Sequence, residues 1–199
     1  MQTRRTPLAR LGLSIVLASF VAPLAHAGTL YSEAATGDLS GNNFAPTKLG
    51  TLTLGSNVLS GVTGGGDRDY FTITVGAGQT LSAITLVTYQ SNDGRSFLGV
   101  MSGATFSESP AAPNVANMLG YTHFGFATAA SQGTNILDDL ATGAGAIGFP
   151  ATLGPGTYSF WLQQLGATTT YGLDFVVVPS PAPMAMLLGV AGIATRRRR

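Results

Sequence analysis

Hydrophobic and polar residues alternate along much of the middle of the chain, which is the pattern of half-buried β-strands. The clearest case is the segment 70–75, in which Phe71, Ile73 and Val75 alternate with one tyrosine and two threonines. Turn-forming residues separate this segment from similar short runs, and the pattern predicts further strands at 49–54, 57–62, 81–89, 97–101, 158–165 and 171–178. Seven or eight short strands with turns between them favour an all-β fold, an antiparallel β-sandwich.

Two stretches do not follow this alternation. Residues 29–46 are polar and contain several glycines, so they are expected to form an extended lead-in. Residues 102–144 contain Pro110, Pro113 and many small residues, which predicts a long excursion from the sheets. Within this excursion, 120–126 has the composition of a strand and 136–141 that of one helical turn.

The N-terminus has the three parts of a secretory signal peptide. Arg4, Arg5 and Arg10 form a basic region, and an apolar segment follows at 11–24. Ala25 and Ala27 flank His26 as a small-x-small cleavage site, so the mature chain is expected to start at Gly28. We therefore predict a helical signal peptide over 1–27, which the secretion translocon exports and signal peptidase removes. The arginine pair has no twin-arginine motif after it, which favours the general secretory route.

The C-terminus combines a proline-rich stretch, an apolar run and a basic end. As a helix, residues 182–195 would rise about 21 Å, less than the roughly 30 Å of a bilayer's hydrocarbon core. The terminal arginines would stay on the cytoplasmic side. We predict that 179–199 holds the exported chain transiently in the membrane through a short apolar helix. The alternatives are a permanent tail anchor, which normally needs about 20 apolar residues, and a disordered basic end.

This tripartite end resembles the PEP-CTERM sorting signal of bacteria that make exopolysaccharide. The matching positions are Val178, Pro179, Ser180 and Pro181, then the apolar run, then Arg196, Arg197, Arg198 and Arg199. In that family an exosortase-type membrane protease recognises a Pro-Glu-Pro motif, and Ser180 stands where the glutamate usually lies. The resemblance implies sorting to the cell surface or extracellular matrix, in association with exopolysaccharide.

The two terminal segments contain most of the positive charge. Seven of the ten basic residues lie there, which leaves 28–178 with three basic and nine acidic residues, a net charge of −6. An acidic domain is not suited to nucleic acid, which requires a basic surface. The chain has no cysteine, so 28–178, which is long enough for one domain, depends on its core rather than on disulfides.

A second resemblance covers most of 49–177. The runs 55–61, 67–75, 77–81, 153–161 and 171–175 are similar to the beginning and end of bacterial pre-peptidase C-terminal domains. That family implies a jelly-roll-like β-sandwich related to collagen-binding modules, some of which bind calcium. No peptidase domain accompanies the module here, so the resemblance implies no protease.

Acidic residues near a glycine loop form the candidate metal site. Asp67 and Asp69 follow three consecutive glycines, and two carboxylates at this spacing can reach one hard cation such as Ca²⁺. In the collagen-binding relatives an acidic N-terminal segment adds ligands, and the resemblance assigns that role to Glu33 and Asp38. The alternative is that Asp67 and Asp69 only stabilise a turn through backbone N–H groups.

Catalytic groups are sparse. His123 is the only histidine after the signal peptide, and the chain has no Gly-x-Ser-x-Gly nucleophile elbow. The carboxylates Glu33 and Glu108 lie in loop-like segments with no sign of a facing pair. We therefore predict that the protein is not an enzyme, with a minor hydrolase as the weaker alternative.

One aromatic residue is a candidate for ligand binding. If Tyr158 and Phe160 face inward, alternation directs Trp161 outward beside Gln163, where it would suit stacking against a sugar ring. The alternative is that Trp161 packs against the excursion, since aromatic residues dominate cores. The sequence thus predicts an exported, non-enzymatic structural or adhesive protein. The rival is a carbohydrate- or protein-binding module with a defined ligand, for which calcium dependence is one option.

Overall fold

A computed structural model describes residues 28–181 of the 199-residue chain. The predicted signal peptide and the part of the sorting segment after Pro181 lie outside the described residues. Within 28–181 the strands are β1 (Gly28–Ser32), β2 (Thr47–Thr51), β3 (Gly55–Thr63), β4 (Arg68–Val75), β5 (Gln79–Ser91), β6 (Ser96–Ser102), β7 (Gly120–Phe124), β8 (Gly156–Gln163) and β9 (Thr169–Pro179). Two short helices accompany them, α1 (Glu33–Thr36) and α2 (Leu137–Ala141), together with a 3-10 turn at Val115–Asn117.

The strands form two sheets, which confirms the all-β sandwich. One sheet has the order β1-β3-β9-β5 and the other β2-β4-β8-β6-β7. From β1 to β6 the chain changes sheet at every step. The expectation that the sandwich is wholly antiparallel is wrong, because β1 pairs with β3 and β2 with β4 in parallel. When the chain crosses to the opposite sheet and returns, its direction has reversed twice. The returning strand therefore lies parallel to the earlier strand with which it pairs.

The core lies between the two sheets and follows the alternation of the sequence. Phe71, Ile73 and Val75 of β4 are buried with the inward residues of β9. The Phe71 and Phe160 rings stack at a centroid distance of 5.2 Å, and both meet the edge of Phe175 from the opposite sheet. Such aromatic contacts add to the stabilisation from burial, so this cluster holds the sheets together.

The excursion between β6 and β8 packs on the sandwich rather than leaving it. The helical turn predicted at 136–141 is confirmed as α2, whose Leu137 and Leu140 join the main core. Earlier in the excursion, Phe106 is buried against the outer face of the five-stranded sheet. The backbone of Asn43 and its side-chain amide both bond Phe106. The predicted lead-in at 29–46 is therefore an integrated part of the fold, and it contains β1 and α1 as well.

Candidate metal centre

Asp69 lies at one end of the space between the sheets and points into it. On β4 it is paired with the core residue Leu162 and shares the inward face of Phe71. Its side chain is 0 % exposed. Burying a carboxylate is costly unless its oxygens are bonded or its charge is compensated, so its immediate contacts decide its role.

Only one oxygen of Asp69 has a hydrogen-bond partner. The hydroxyl of Tyr171, on β9 of the opposite sheet, donates to Asp69 Oδ2 at 2.8 Å. Asp69 Oδ1 is buried and accepts no hydrogen bond from residues 28–181. An unsatisfied buried polar atom costs about 1–3 kcal/mol, and more when it is charged. This oxygen is therefore able to accept a hydrogen bond or to bind a cation.

Glu33 faces the same point from the N-terminal arm. Its two carboxylate oxygens accept from the backbone N–H groups of Leu39 at 3.1 Å and Val62 at 2.6 Å. The Val62 bond holds the first residue of α1 against β3, and the Leu39 bond ties it to the loop that follows α1. Gly61 makes the approach possible, because a Cβ there would lie 2.6 Å from the Tyr171 hydroxyl oxygen and 2.9 Å from Glu33 Cδ. Only glycine at this strand position lets Tyr171 and Glu33 meet.

Three of the four predicted ligands converge. One carboxylate oxygen from each of Glu33, Asp38 and Asp69 lies within 4.8 Å of the others. Asp69 is buried, Glu33 is half-buried and Asp38 is exposed, so the cluster runs from the inter-sheet space to solvent. Asp67 is not part of this triad. It acts on the cluster electrostatically, since its charge raises the pKa of both Glu33 and Asp69.

The carboxylates raise each other's pKa. Burial, followed by the charge of Glu33, raises the pKa of Asp69 to about 8, against the Tyr171 hydrogen bond that lowers it. Burial is also the main reason that the pKa values of Glu33 and Asp67 are raised, with Asp38 adding in both cases. The nearby charges that act on Asp69 are Glu33, Asp67 and Asp38. The site therefore gathers negative charge that a bound cation would compensate.

This donor set fits a hard divalent cation. Ca²⁺ takes six to eight oxygen ligands at about 2.3–2.6 Å, so oxygens on opposite sides of the ion lie roughly 5 Å apart. The 4.8 Å limit on the separation of the three carboxylate oxygens agrees with that span. Asp69 would enter as a ligand through Oδ1, the oxygen that has no other partner. Backbone carbonyls or water at the exposed side would complete the shell.

Trp161 does not form a sugar-binding platform. Its side chain is 1 % exposed, which contradicts the interpretation as an outward ligand-binding residue. It does lie on the outer face of β8, but Phe106 of the excursion covers it with ring centroids 5.6 Å apart. Tyr70 and Phe97 pack on it at 5.9 Å and 4.7 Å. The alternative, that Trp161 packs against the excursion, is confirmed.

The other candidate catalytic groups do not meet. His123 is exposed on β7, where its ring meets the edge of Phe97 at 5.8 Å. Burial and the charge of Arg95 lower the pKa of His123. Glu108 binds within its own loop, where its oxygens accept from Asn114 N and Asn117 Nδ2, both at 2.7 Å. The carboxylate of Glu33 belongs to the triad with Asp38 and Asp69 instead.

The predicted sorting motif begins on the sandwich itself. Val178 and Pro179 are the last residues of β9. Ser180 donates its backbone N–H to the Gly78 carbonyl at 2.8 Å, and its hydroxyl lies 2.8 Å from that of Thr80. Ala25, Ala27 and the four arginines Arg196, Arg197, Arg198 and Arg199 lie outside the described residues. At the other end, Gly28, the predicted mature start, is the first residue of β1 and pairs with Asn57.

Comparison with known proteins found no relative. No family model matches the chain, and no curated protein or solved structure is significantly similar to it. Among the helices of residues 28–181, none is long and apolar enough to cross a membrane. The function proposed below therefore rests on the residues and geometry of this chain.

Proposed function

We propose that this chain is an exported, non-enzymatic β-sandwich protein of the cell surface or extracellular matrix, with a fold that a calcium ion completes. The observation that carries the calcium site is the buried Asp69 Oδ1 atom, which has no hydrogen-bond partner among residues 28–181 and lies in a cluster with Glu33 and Asp38. A bound cation would satisfy this oxygen and compensate the charge that now raises the pKa of Asp69.

Calcium suits the site better than magnesium. The carboxylates come from α1, from the loop after it and from β4, so their spacing is set by the meeting of three chain segments. Ca²⁺ tolerates irregular geometry and many oxygen ligands, whereas Mg²⁺ requires near-ideal octahedral geometry and keeps most of its water. Half-buried and exposed ligands leave room for the additional oxygens that calcium takes.

The proposed extracellular location and the proposed calcium site support each other. Extracellular calcium modules bind with dissociation constants on the order of 10⁻⁴–10⁻³ M, so they fill only outside the cell. A site with three carboxylates and an open side belongs to this weak class. The chain has no cysteine, so the ion would do what disulfides do in many exported domains, by tying the N-terminal arm to the sandwich.

The finer fold that we propose is a jelly-roll-like sandwich. Strand succession supports it, since six consecutive strands alternate between the sheets and each sheet mixes early and late strands. This is also the fold that the resemblance to pre-peptidase C-terminal domains implies. The two parallel edge pairs are the local departure from an antiparallel arrangement.

For the ends of the chain we propose export and sorting. The proposed partners are the secretion translocon, signal peptidase and an exosortase-type membrane protease. The apolar run starts at Met184, five residues after the end of β9 at Pro179. The sandwich of the precursor would therefore lie close to the membrane surface. The Ser180 contacts with Gly78 and Thr80 support a further step, in which this end of β9 detaches before the protease reaches the motif.

Calcium titration of the full chain in detergent, followed by calorimetry at pH 8, tests the metal centre. We expect one site, and we expect Asp69→Asn to abolish it because the amide keeps the Tyr171 hydrogen bond but offers no charge. Asp138→Asn, which removes an exposed carboxylate elsewhere, is the matched control and should bind as the wild type does. Equal binding by wild type and Asp69→Asn would rule the site out.

Mass spectrometry of the protein recovered from the surface of a bacterium with an exosortase-type enzyme tests export and sorting. We expect a mature N-terminus at Gly28 and the loss of residues 196–199. Replacing all four arginines with serine should reduce retention at the membrane, because the positive charge that holds the tail inside is gone. A surface-exposed chain that still ends at Arg199 would contradict processing.

A further inference from the structure

The excursion leaves part of the outer face of the five-stranded sheet uncovered. Phe106 and Met118 bury the part around Trp161. Phe106 and Met118 do not cover the next row of side chains across the sheet. The registers of the strands place its members side by side, one each from β4, β8, β6 and β7: Arg68, Gln163, Phe97 and His123.

Beside this row lies a groove of about 490 Å³, whose lining includes Phe97, His123 and Gln163. Its walls come from the loops β5–β6 and β8–β9. Gln164 connects these loops, since its amide nitrogen donates to the Arg95 carbonyl at 2.8 Å and its oxygen accepts from Gly166 N at 2.7 Å. The buried Gln164 thus holds both walls in place before any ligand arrives. A preformed groove of this volume is of the size that small ligands occupy.

The floor of the groove is a fixed aromatic ring. Phe97 is partly exposed and packs on Trp161 with a centroid distance of 4.7 Å. Tyr121 stacks beside it at 6.0 Å, and the ring of His123 meets it at 5.8 Å. Gly99 provides the space, since a Cβ there would lie 3.1 Å from the Phe97 ring. Neighbours on several sides therefore hold the orientation of this ring.

Polar groups surround this ring, and several have no partner among residues 28–181. The Gln163 oxygen accepts from Arg68 Nε at 3.2 Å, while its amide nitrogen forms no bond there. The Arg95 guanidinium and the His123 ring nitrogens also form no hydrogen bond within the described range. Both residues are exposed, so these groups can reach a ligand. Asp93 uses one oxygen to accept from Arg95 N at 3.1 Å. The rim therefore offers donors and acceptors that remain available.

Two of the three basic residues of 28–178 lie in or beside the groove. The stretch 28–178 contains three basic residues against nine acidic ones. Arg95 lines the groove and Arg68 bonds Gln163, which also lines it. The third basic residue, Lys48, lies on β2, the edge strand at the other side of the sheet. Asp93 is the one acidic residue in the groove lining, so the groove does not share the strong acidic excess of the domain as a whole, and it can accept a ligand with oxygen-rich or anionic groups.

We propose that this groove binds a saccharide, with one sugar ring lying on Phe97. A pyranose ring presents an apolar C–H face to an aromatic ring and hydroxyl groups around its edge. Gln163, Arg95, Asp93 and the ring nitrogens of His123 bond these hydroxyls. Arg95 also pairs with a carboxylate when the sugar is a uronic acid. Aromatic stacking combined with a few placed polar groups is the general composition of a small-molecule site.

This assignment extends the proposed function, because a matrix protein with such a groove holds its polysaccharide directly. It uses none of Glu33, Asp38 or Asp69. The groove and the calcium centre lie on different faces, the outer face of one sheet and the inter-sheet space. An experiment can therefore contradict one of these two proposals without contradicting the other.

The test is calorimetric titration of the full chain in detergent with three probes: cellohexaose, mannohexaose and hexagalacturonate. We expect binding of at least one probe, and a loss of affinity of about tenfold or more in Arg95→Ala and in His123→Ala, since each removes a direct contact. Both side chains are exposed, so neither variant is expected to unfold. Lys48→Ala removes the same charge as Arg95→Ala at a distant surface and should bind as the wild type does.

Two results would overturn the saccharide assignment. One is the absence of binding to all three probes at millimolar concentrations. The other is binding that Arg95→Ala and His123→Ala leave unchanged, because the saccharide would then lie elsewhere. Asp69→Asn, which removes the proposed calcium ligand, is expected to leave the affinity within about twofold. Failure of the calcium centre and failure of the groove therefore give different results.

Discussion

Removal of calcium at pH 8 is expected to lower the melting temperature of this protein by about 5–10 °C. The reference state is calcium at 100 times its dissociation constant, which is about 10–100 mM for a site of the weak extracellular class. At that concentration the ion contributes about 2.7 kcal/mol to folding, and a domain of this size changes its melting temperature by about 2–4 °C per kcal/mol. The physical cause is the buried Asp69 carboxylate. Once ionised, it has three acidic neighbours and one oxygen that receives no hydrogen bond from the described part of the chain. A bound cation would relieve both conditions.

The effect of pH on the calcium-free protein has a definite sign. The pKa of Asp69 is about 8 in the folded state and 3.8 in its ordinary range. The folded chain therefore keeps a proton that the unfolded chain releases, and this contributes stability below about pH 4 that is lost as pH rises to about 8. The raised pKa of Glu33 acts in the same direction. Calcium needs the ionised carboxylate, so its affinity should increase up to tenfold per pH unit until about pH 8.

Thermal unfolding from pH 5 to pH 8, with calcium and with chelator, measures both effects. Asp69→Asn should lose the calcium response and most of the destabilisation at high pH, because an amide does not ionise. Asp138→Asn should keep both. A melting temperature at pH 8 that does not respond to calcium would contradict the metal centre, as would a chelated protein that becomes more stable between pH 5 and pH 8.

Trp161→Ala is expected to lower the free energy of unfolding by about 3–5 kcal/mol. The side chain is 1 % exposed and lies between Tyr70, Phe97 and Phe106, so truncation leaves a cavity between the sheet and the excursion. Trp161→Phe should cost much less. The Trp161 indole N–H is buried without a hydrogen-bond partner in the described chain, so its removal breaks no hydrogen bond.

Urea denaturation followed by circular dichroism measures these differences. Leu165→Ala is the matched control, because Leu165 is 70 % exposed on the next loop and should change the free energy by less than about 0.5 kcal/mol. If Trp161→Ala costs no more than Leu165→Ala, the excursion does not cover the tryptophan.

The strands that the sequence predicted best are those with strong alternation. The segment 70–75 lies within β4, and the runs at 57–62, 97–101 and 171–178 fall within β3, β6 and β9. The alternation of side chains along a strand is local, so it can be read without knowing the partner strand. By contrast, the sequence predicts only an extended lead-in where β1 lies, because this segment becomes a strand only by pairing with β3.

The sequence predicts part of the candidate metal centre. The spacing of Asp67 and Asp69 predicts that both are ligands. The two differ in role, since Asp69 is buried in the triad and Asp67 lies outside it. One signal was available, because alternation puts Asp69 on the same face as Phe71, and an acid on an inward face is unusual. Tyr171 and Gly61 were missed, because their relation to Asp69 exists only across the two sheets.

The sequence by itself determined the β-rich character of the chain, the inward face of each strong strand and the acidic balance of 28–178. These properties depend on residue type and on spacing along the chain, which are local. Only the tertiary structure decided what covers each face and which distant groups meet. Trp161 points outward as alternation requires, but Phe106 buries it, and Asp69 meets Glu33 and Tyr171 only because β1, β4 and β9 are brought to one end of the sandwich. Such contacts join residues far apart in sequence, and no local pattern records them.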